Sequence, residues 1–465
     1  MSPAKPDESN SIAPLEESLH FMLSDDEEQR YWKTRSIYRV PARITALNCQ
    51  AYRPQVVSFG PYHHGEDHLL PMEEHKCRVV RHFLRRSGKC REHFFESLRE
   101  VAWDLEESYN ALDLKWKAGN GEGAAPLFLE LMVTDGCFML EILRFAADEV
   151  HDYAPNDPIF SKHGELYIMP DIRHDMLMLE NQLPMLVLDR LVAVESHGEK
   201  DDESVNRLIF KSWFHGKDIT GMGKCLHVLD VYRKHKLKEP KKKDNVERKY
   251  SEEIIRSRLH VLDVFRKHMR KKPKDNVEMK DGMKLIRSAS ATELSEHGIQ
   301  FKNSKTRSLN DISFEGGVLR LPTIVVGDKI ESVFLNLMAF ERFHVGAGNE
   351  VTSYICFMDY IIDKGQDVAL LRAQGILQND LESDEAVAKL FNLLAKGATM
   401  DSDSSINGVL TKVEQYYSNR WNMWRVNFFH TYFRNPWVTL SLIAAVFLFA
   451  LTIIQTVYSM LGYHK

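Results

Sequence analysis

From Trp437 to Leu461 the chain reads WVTLSLIAAVFLFALTIIQTVYSML, without a charged residue and with Gln455 as its one strongly polar side chain. At about 1.5 Å per residue such a helix spans roughly 37 Å, enough for a ~30 Å hydrocarbon core with some tilt. In lipid an isolated segment must satisfy its own amides and so must be helical. Pro436 stands where a missing N–H costs little, and Trp437 and Tyr458 lie near the two ends, as interfacial aromatics do. The run therefore predicts a single-pass transmembrane helix over 437–461, anchored by Trp437, Leu442, Phe447, Leu451, Ile454 and Tyr458. The alternative is a buried core helix, which rarely stays apolar on every face for this length. Only Gly462 to Lys465 follow, so the expected arrangement is tail-anchored. Arg420, Arg425 and Arg434 precede the run against Lys465 after it, which leaves the N-terminal body in the cytosol and makes membrane lipid the first expected partner.

The rest of the chain has room for one large domain or two ordinary ones: 465 residues, 44% hydrophobic and 27% charged. A net charge of −5 gives no strong overall field and no case for nucleic acid. The six cysteines form no CxxC pair, so neither a zinc ribbon nor a disulfide framework is read, and they are expected to be scattered, mostly buried thiols. Residues 1–35 are an acidic leader without the apolar run or basic start of an export signal, and are expected to be disordered.

Helical periodicity carries most of what lies between. It predicts a first helical part over 36–223, a second over 288–420 and a juxtamembrane segment over 421–436. Val56 to Phe59 read as a short β-like run stopped by Gly60-Pro61. MEEHKCRVVRHFLRR, LFLELMVTDGCFMLEILRFAADEV and DMLMLENQLPMLVLDRLVAV read as helices, with Pro184 kinking or splitting the last. SATE at 290–293 is a capping box, and DISFEGGVLRLP a hairpin turning at Gly316-Gly317. Val387, Leu390, Phe391 and Leu394 share one helical face, with Ser383 placed to cap that helix and Gly397 to end it. The fold class is mainly α: a helical soluble body with a few short strands plus the C-terminal transmembrane helix.

Residues 224–287 stand apart. They hold 21 Lys and Arg against 10 Asp and Glu, a local net of +11. LHVLDVYRKH at 226–235 returns as LHVLDVFRKH at 259–268, and KDNVE at 243–247 returns at 274–278. Two copies are too few for a solenoid, so the segment reads as a duplicated basic insertion, a solvated surface excursion. Lys241, Lys242, Lys243, Arg270, Lys271 and Lys272 are its candidate contacts to an acidic surface such as anionic headgroups.

Two constellations could carry chemistry. His63, His64, His68 and His75, with Cys77 near, match no common metal-ligand spacing, and adjacent side chains on an extended backbone diverge. An ordinary polar loop is the competing reading. Asp171, His174 and Asp175 could do acid–base work if a cleft shifted their pKa values, or Asp171 could simply cap a helix. Glu180, Asn181 and Gln182 interrupt an apolar stretch and need partners, either within the fold or on a ligand. No nucleotide loop, nucleophile elbow, kinase signature or HExxH is found.

Taken in order, IYRVPARITALNCQAYRPQVVSFGPYHHG, LLPMEEHKCRVVRHFL, DGCFMLEIL, DMLMLENQLPMLVL, SATELSEHGIQF, LRLPTIVVGDKIESVFLNLMAFER and VTSYICFMDYIIDKGQDVALLRAQGIL resemble the plant domain-of-unknown-function-247 family. The resemblance covers roughly 36–455, and the duplicated basic segment departs from it. It implies a plant protein with no established enzymatic activity and no catalytic, metal or cofactor residues to carry over. Some members are associated with grass self-incompatibility loci as candidate pollen-side determinants. The resulting expectation is a non-enzymatic, membrane-anchored recognition or signalling protein presenting its helical body to a protein partner. The alternative is a hydrolase-like enzyme with a site near His63/His64 or Asp171/His174.

Overall fold

A computed structural model describes residues 32, 34–46, 48–117, 126–196, 198, 203–214, 221–238, 289–304, 306–418 and 436–463. The chain divides into two compact units, Met1–His235 with Lys329–Gly348, and Lys236–Asp328 with Asn349–Lys465. Both are mainly helical, with five short strands among the described residues, all in the second unit.

The first unit is organised on helix Pro126–Ala146, buried along most of its length from Phe128 to Arg144. Helices Leu70–Ser87, Arg91–Arg99, Met185–Glu195 and Ser204–Phe214 pack on it. The small face at Gly136 admits Leu191 and Val187 so closely that a Cβ there would stand 2.5 Å from a Leu191 methyl. The expected helix through Pro184 is split. Met169–Asp175 ends before a turn, and Met185–Glu195 starts directly after Pro184, whose φ of −55° suits a helix entry.

The first copy of the duplicated decapeptide belongs to this core and not to a surface excursion. Helix Val228–Leu237 carries Val228, Leu229 and Val231 with no exposure, and the fully buried His227 Nε2 lies 3.2 Å from the Ser36 carbonyl. The second copy, and Lys241, Lys242, Lys243, Arg270, Lys271 and Lys272, lie outside the described residues.

In the second unit, the hairpin forms as its glycines predict. β2 (Ser313–Glu315) pairs antiparallel with β3 (Val318–Leu321), and Gly316 and Gly317 both take positive φ, 59° and 84°. Positive φ at both central positions matches the right-handed twist of the flanking strands. β1 (Gln300–Asn303) adds to β3 in parallel, and β4 (Ile324–Val326) pairs in parallel with β5 (Leu377–Asn379). Ser290 and Glu293 form the reciprocal capping box, and Ser383 Oγ accepts the Ala386 N–H. That helix, Asp384–Leu394, stops at Ala395, just before Gly397 with its φ of 77°.

The C-terminus requires a correction. A helix runs over Pro436–Tyr463, but among the described residues no helix is long and apolar enough to cross a membrane. On the helix Pro436–Tyr463 the Thr452 and Thr456 hydroxyls donate back to the carbonyls of Leu448 and Thr452. The expected transmembrane helix, with its single-pass, tail-anchored topology and membrane localisation, is corrected accordingly. Of the six anchor residues, Phe447, Leu451 and Ile454 are exposed on the helix, while the side chains of Trp437, Leu442 and Tyr458 lie outside the described residues. The cysteines divide evenly, Cys137, Cys225 and Cys356 buried and Cys49, Cys77 and Cys90 exposed, against an expectation of mostly buried thiols.

Candidate functional site

The β-like run at Val56 to Phe59 belongs to no strand. Its amides are taken by side chains instead of a neighbouring strand. Asp175 Oδ2 accepts the N–H groups of Gln55 at 3.1 Å, Val56 at 2.7 Å and Val57 at 2.9 Å. Asn181 Oδ1 accepts from Phe59 at 2.7 Å, and Asp135 Oδ2 from Gly60 at 2.8 Å. Buried amides need partners, and a carboxylate that takes several of them does the work of a ladder. Burial pushes the Asp175 carboxyl up to about 6 against the pull of those three amides. Under the same segment the fully buried Lys76 ammonium meets the Ser58 carbonyl at 2.6 Å, Glu73 at 2.6 Å and Asp135 at 2.7 Å. Gly60, at φ 74°, has no room for a side chain, because a Cβ would stand 2.7 Å from the Tyr109 hydroxyl.

The polar string after Asp175 closes this lattice. Gln182 Nε2 donates to the carbonyls of Met176 and Met178, both at 2.7 Å, and its Oε1 accepts from Leu229 at 3.1 Å. Asn336, on helix Ile330–Phe343, accepts from the Leu179 N–H and donates to the Ala51 carbonyl, each at 2.8 Å. Glu180 Oε1 accepts from Val40 at 2.6 Å. These are ties within the first unit.

The histidines diverge. His63 is buried between two carboxylates, Nδ1 2.7 Å from Glu66 and Nε2 3.3 Å from Glu180. The Glu180 contact falls off the axis of a good hydrogen bond and acts as an ion pair. Burial alone would lower the His63 pKa, but Glu180 and Glu66 together outweigh it and raise it. His64 packs edge-on against Trp116, His68 bonds the Pro54 carbonyl, and His75 lies beside Arg78. Among the described residues no group of three or more His, Cys, Asp or Glu is placed to hold a metal ion.

The second sequence constellation does reach a cavity. A cleft of about 800 Å³ in the first unit is lined by residues from Phe145 to His151, from Glu165 to Leu177, by Lys211 and Trp213, and by Lys329 and Val333. His174 lines it, and burial followed by the Lys329 charge pushes its imidazole down to about 4, so it is neutral near pH 7. Asp171 does not cap its helix, whose N-cap Ile168 makes no side-chain bond; it forms an ion pair with Lys329. Asp175 turns away to the 55–57 amides, so Asp171, His174 and Asp175 are not one catalytic group.

Arg173, between the residues singled out in the sequence, is the feature that the sequence did not reveal. Its guanidinium lines the cleft, lies 5.1 Å from the Trp213 ring centroid and donates to the Ser212 carbonyl at 2.6 Å. Burial lowers its pKa. The partners arrive from segments some forty residues away or more, which no local pattern announces.

A family model described as a plant protein of unknown function, DUF247, matches residues 37–451. The UPF0481 protein At3g47200 of Arabidopsis thaliana is 31% identical over 92% of this chain and 86% of its own length. The putative UPF0481 protein At3g02645 of the same plant is 24% identical over 97% of this chain and 94% of its own. No solved structure matches. With its model matched across the lattice, the cleft and most of the second unit, the chain belongs to the plant DUF247 family of unknown function.

Proposed function

We propose that this chain is a non-enzymatic recognition component that presents its first unit to a protein partner, with cell–cell recognition such as pollen self-incompatibility as one setting. The observation that carries the reading is the division of labour among polar groups. Asp135, Asp175, Asn181, Gln182 and Asn336 are buried ties of the fold, so the outward chemistry falls to the cleft and its rim. On that rim Leu166 and Tyr167 are 58% and 64% exposed, between Glu165 and Met169, which line the cleft. Exposed aromatic and aliphatic side chains beside charged ones are the composition of a docking surface.

The test is proximity labelling in plant tissue, with the labelling enzyme on the N-terminus, comparing the natural chain with L166D/Y167D. A protein neighbour lost in the variant at equal abundance supports the reading. An unchanged neighbour set refutes it.

A hydrolase-like alternative rests on one observation, that His174 lines a cleft of substrate size. A histidine of pKa about 4 is a weak base at neutral pH, and Asp171 is held by Lys329. The recognition reading is the better supported.

A further inference from the structure

Most charges around the cleft pair off, leaving the half-buried Arg173 without a carboxylate and the exposed Asp148 beside a histidine. Lys329 is matched by Asp171, Lys211 by Glu149 at 2.8 Å, and Lys162 by Glu165 at 2.8 Å. Asp148, on the lip, is almost fully exposed and lies 3.7 Å from His151. Arg173 has no carboxylate within ion-pair distance among the described residues. Among the described residues it donates to the Ser212 carbonyl and lies over the Trp213 face, with the Tyr232 phenol also in electrostatic reach. A guanidinium offers five N–H donors in a planar fork, and a single carbonyl leaves most of them for another acceptor. Taking a charge out of water without a counter-charge is unfavourable, so such a site gains when an anion enters.

The rest of the cleft says what kind of anion. Phe145, Val150, Met169, Leu177, Trp213 and Val333 supply apolar wall. The volume, about 800 Å³, falls in the range of small-molecule sites. His174 is neutral and offers one ring N–H for a hydrogen bond without adding charge.

The geometry points to a binding site for a small amphipathic organic anion, whose carboxylate or phosphate head pairs with the Arg173 fork while its apolar body lies along Trp213 and the facing aliphatic wall. The head group is planar or tetrahedral, and either can accept two parallel N–H bonds from a guanidinium. This site is independent of the protein-partner reading and stands or falls without it.

Calorimetric titration of the full chain with 2-naphthoate, 2-naphthyl phosphate and the neutral 2-naphthamide tests the proposal. The anions are expected to bind at least tenfold more tightly than the amide, and the better of the two identifies the head group. Arg173→Gln abolishes that preference, while Arg173→Lys keeps part of it, having charge but no fork. Because Arg173→Gln also loses the Ser212 tie, a second measurement uses the natural chain alone. Dicarbonyl modification of Arg173, followed by peptide mass, is slowed several-fold by the anion and not by the amide. Equal binding of anion and amide, no binding of any probe at millimolar concentration, or an unprotected Arg173 overturns it.

Discussion

The two units hold their irregular segments in opposite ways. In the second, two helix starts and a hairpin are closed locally, although strands Ile324–Val326 and Leu377–Asn379 also pair at a distance. Ser290 and Glu293 cap one another, Ser383 caps the helix it starts, and the hairpin closes on two adjacent glycines. In the first, the central irregular segment 55–60 is held by side chains from further along the chain: Lys76, Asp135, Asp175 and Asn181. Local caps can each fail at modest cost. A lattice of buried polar groups fails together, because losing one member leaves its partners unsatisfied in a low-dielectric interior.

The largest effect should therefore come from Lys76→Met. It strips the buried Asp135 of its counter-charge and should cost about 3–5 kcal/mol, read by urea unfolding of the first unit. The double variant K76M/D135L, which removes both charges, should recover part of that loss, the remainder reflecting the Gly60 amide left without its acceptor. If the single variant costs no more than a surface change, the contrast between the units is wrong. Next comes Asn181→Ala, which orphans the Phe59 amide and the Val57 carbonyl and should cost about 1–3 kcal/mol. Hydrogen-exchange mass spectrometry should show faster exchange at 55–60 and no change in the second unit. Ser290→Ala and Ser383→Ala remove single caps and should each cost ~1 kcal/mol, confined to helices Ala291–Glu296 and Asp384–Leu394. A cap loss that loosened 55–60 as well would blur the distinction.

The smallest effect is one of pH. His63 has its pKa raised in the folded chain, so it binds its proton more tightly there than in the unfolded chain. The stability it contributes is fully present below the unfolded value of about 6.5 and is lost as pH rises through the folded value. Melting of the natural chain should decline from pH 6 towards pH 8, and His63→Gln should flatten that slope. A slope unaltered in the variant would show that other groups set it.

The same contrast explains what could be read in advance. The hairpin, the capping box, the Ser383 cap and the long helices follow from periodicity and turn chemistry, which act within a few residues. The segment 56–59 has the composition of a strand but not its ladder, because Asp175 and Asn181 reach it across more than a hundred residues. Asp171 has the position of a cap but answers to Lys329, also far away in sequence. His174 was recognisable as a candidate; Arg173, Trp213 and Lys211 were not, since their meaning lies in convergence. The apolar run at the C-terminus suggested a bilayer from its composition alone, and no described helix there meets the required length and apolarity.

The buried decapeptide at 226–235 has a consequence for tolerance to damage. The side chains that seat it, from His227 through Val231, are written a second time at 260–264, and the two ten-residue stretches differ only at Tyr232 and Phe265. Losing residues 226–258 would bring the second version into the sequence position of the first, with the same wedge of His, Val, Leu, Asp and Val on offer. A stretch that fills the core is thus written twice in the chain, and deletion of 226–258 tests whether the second version can take the place of the first.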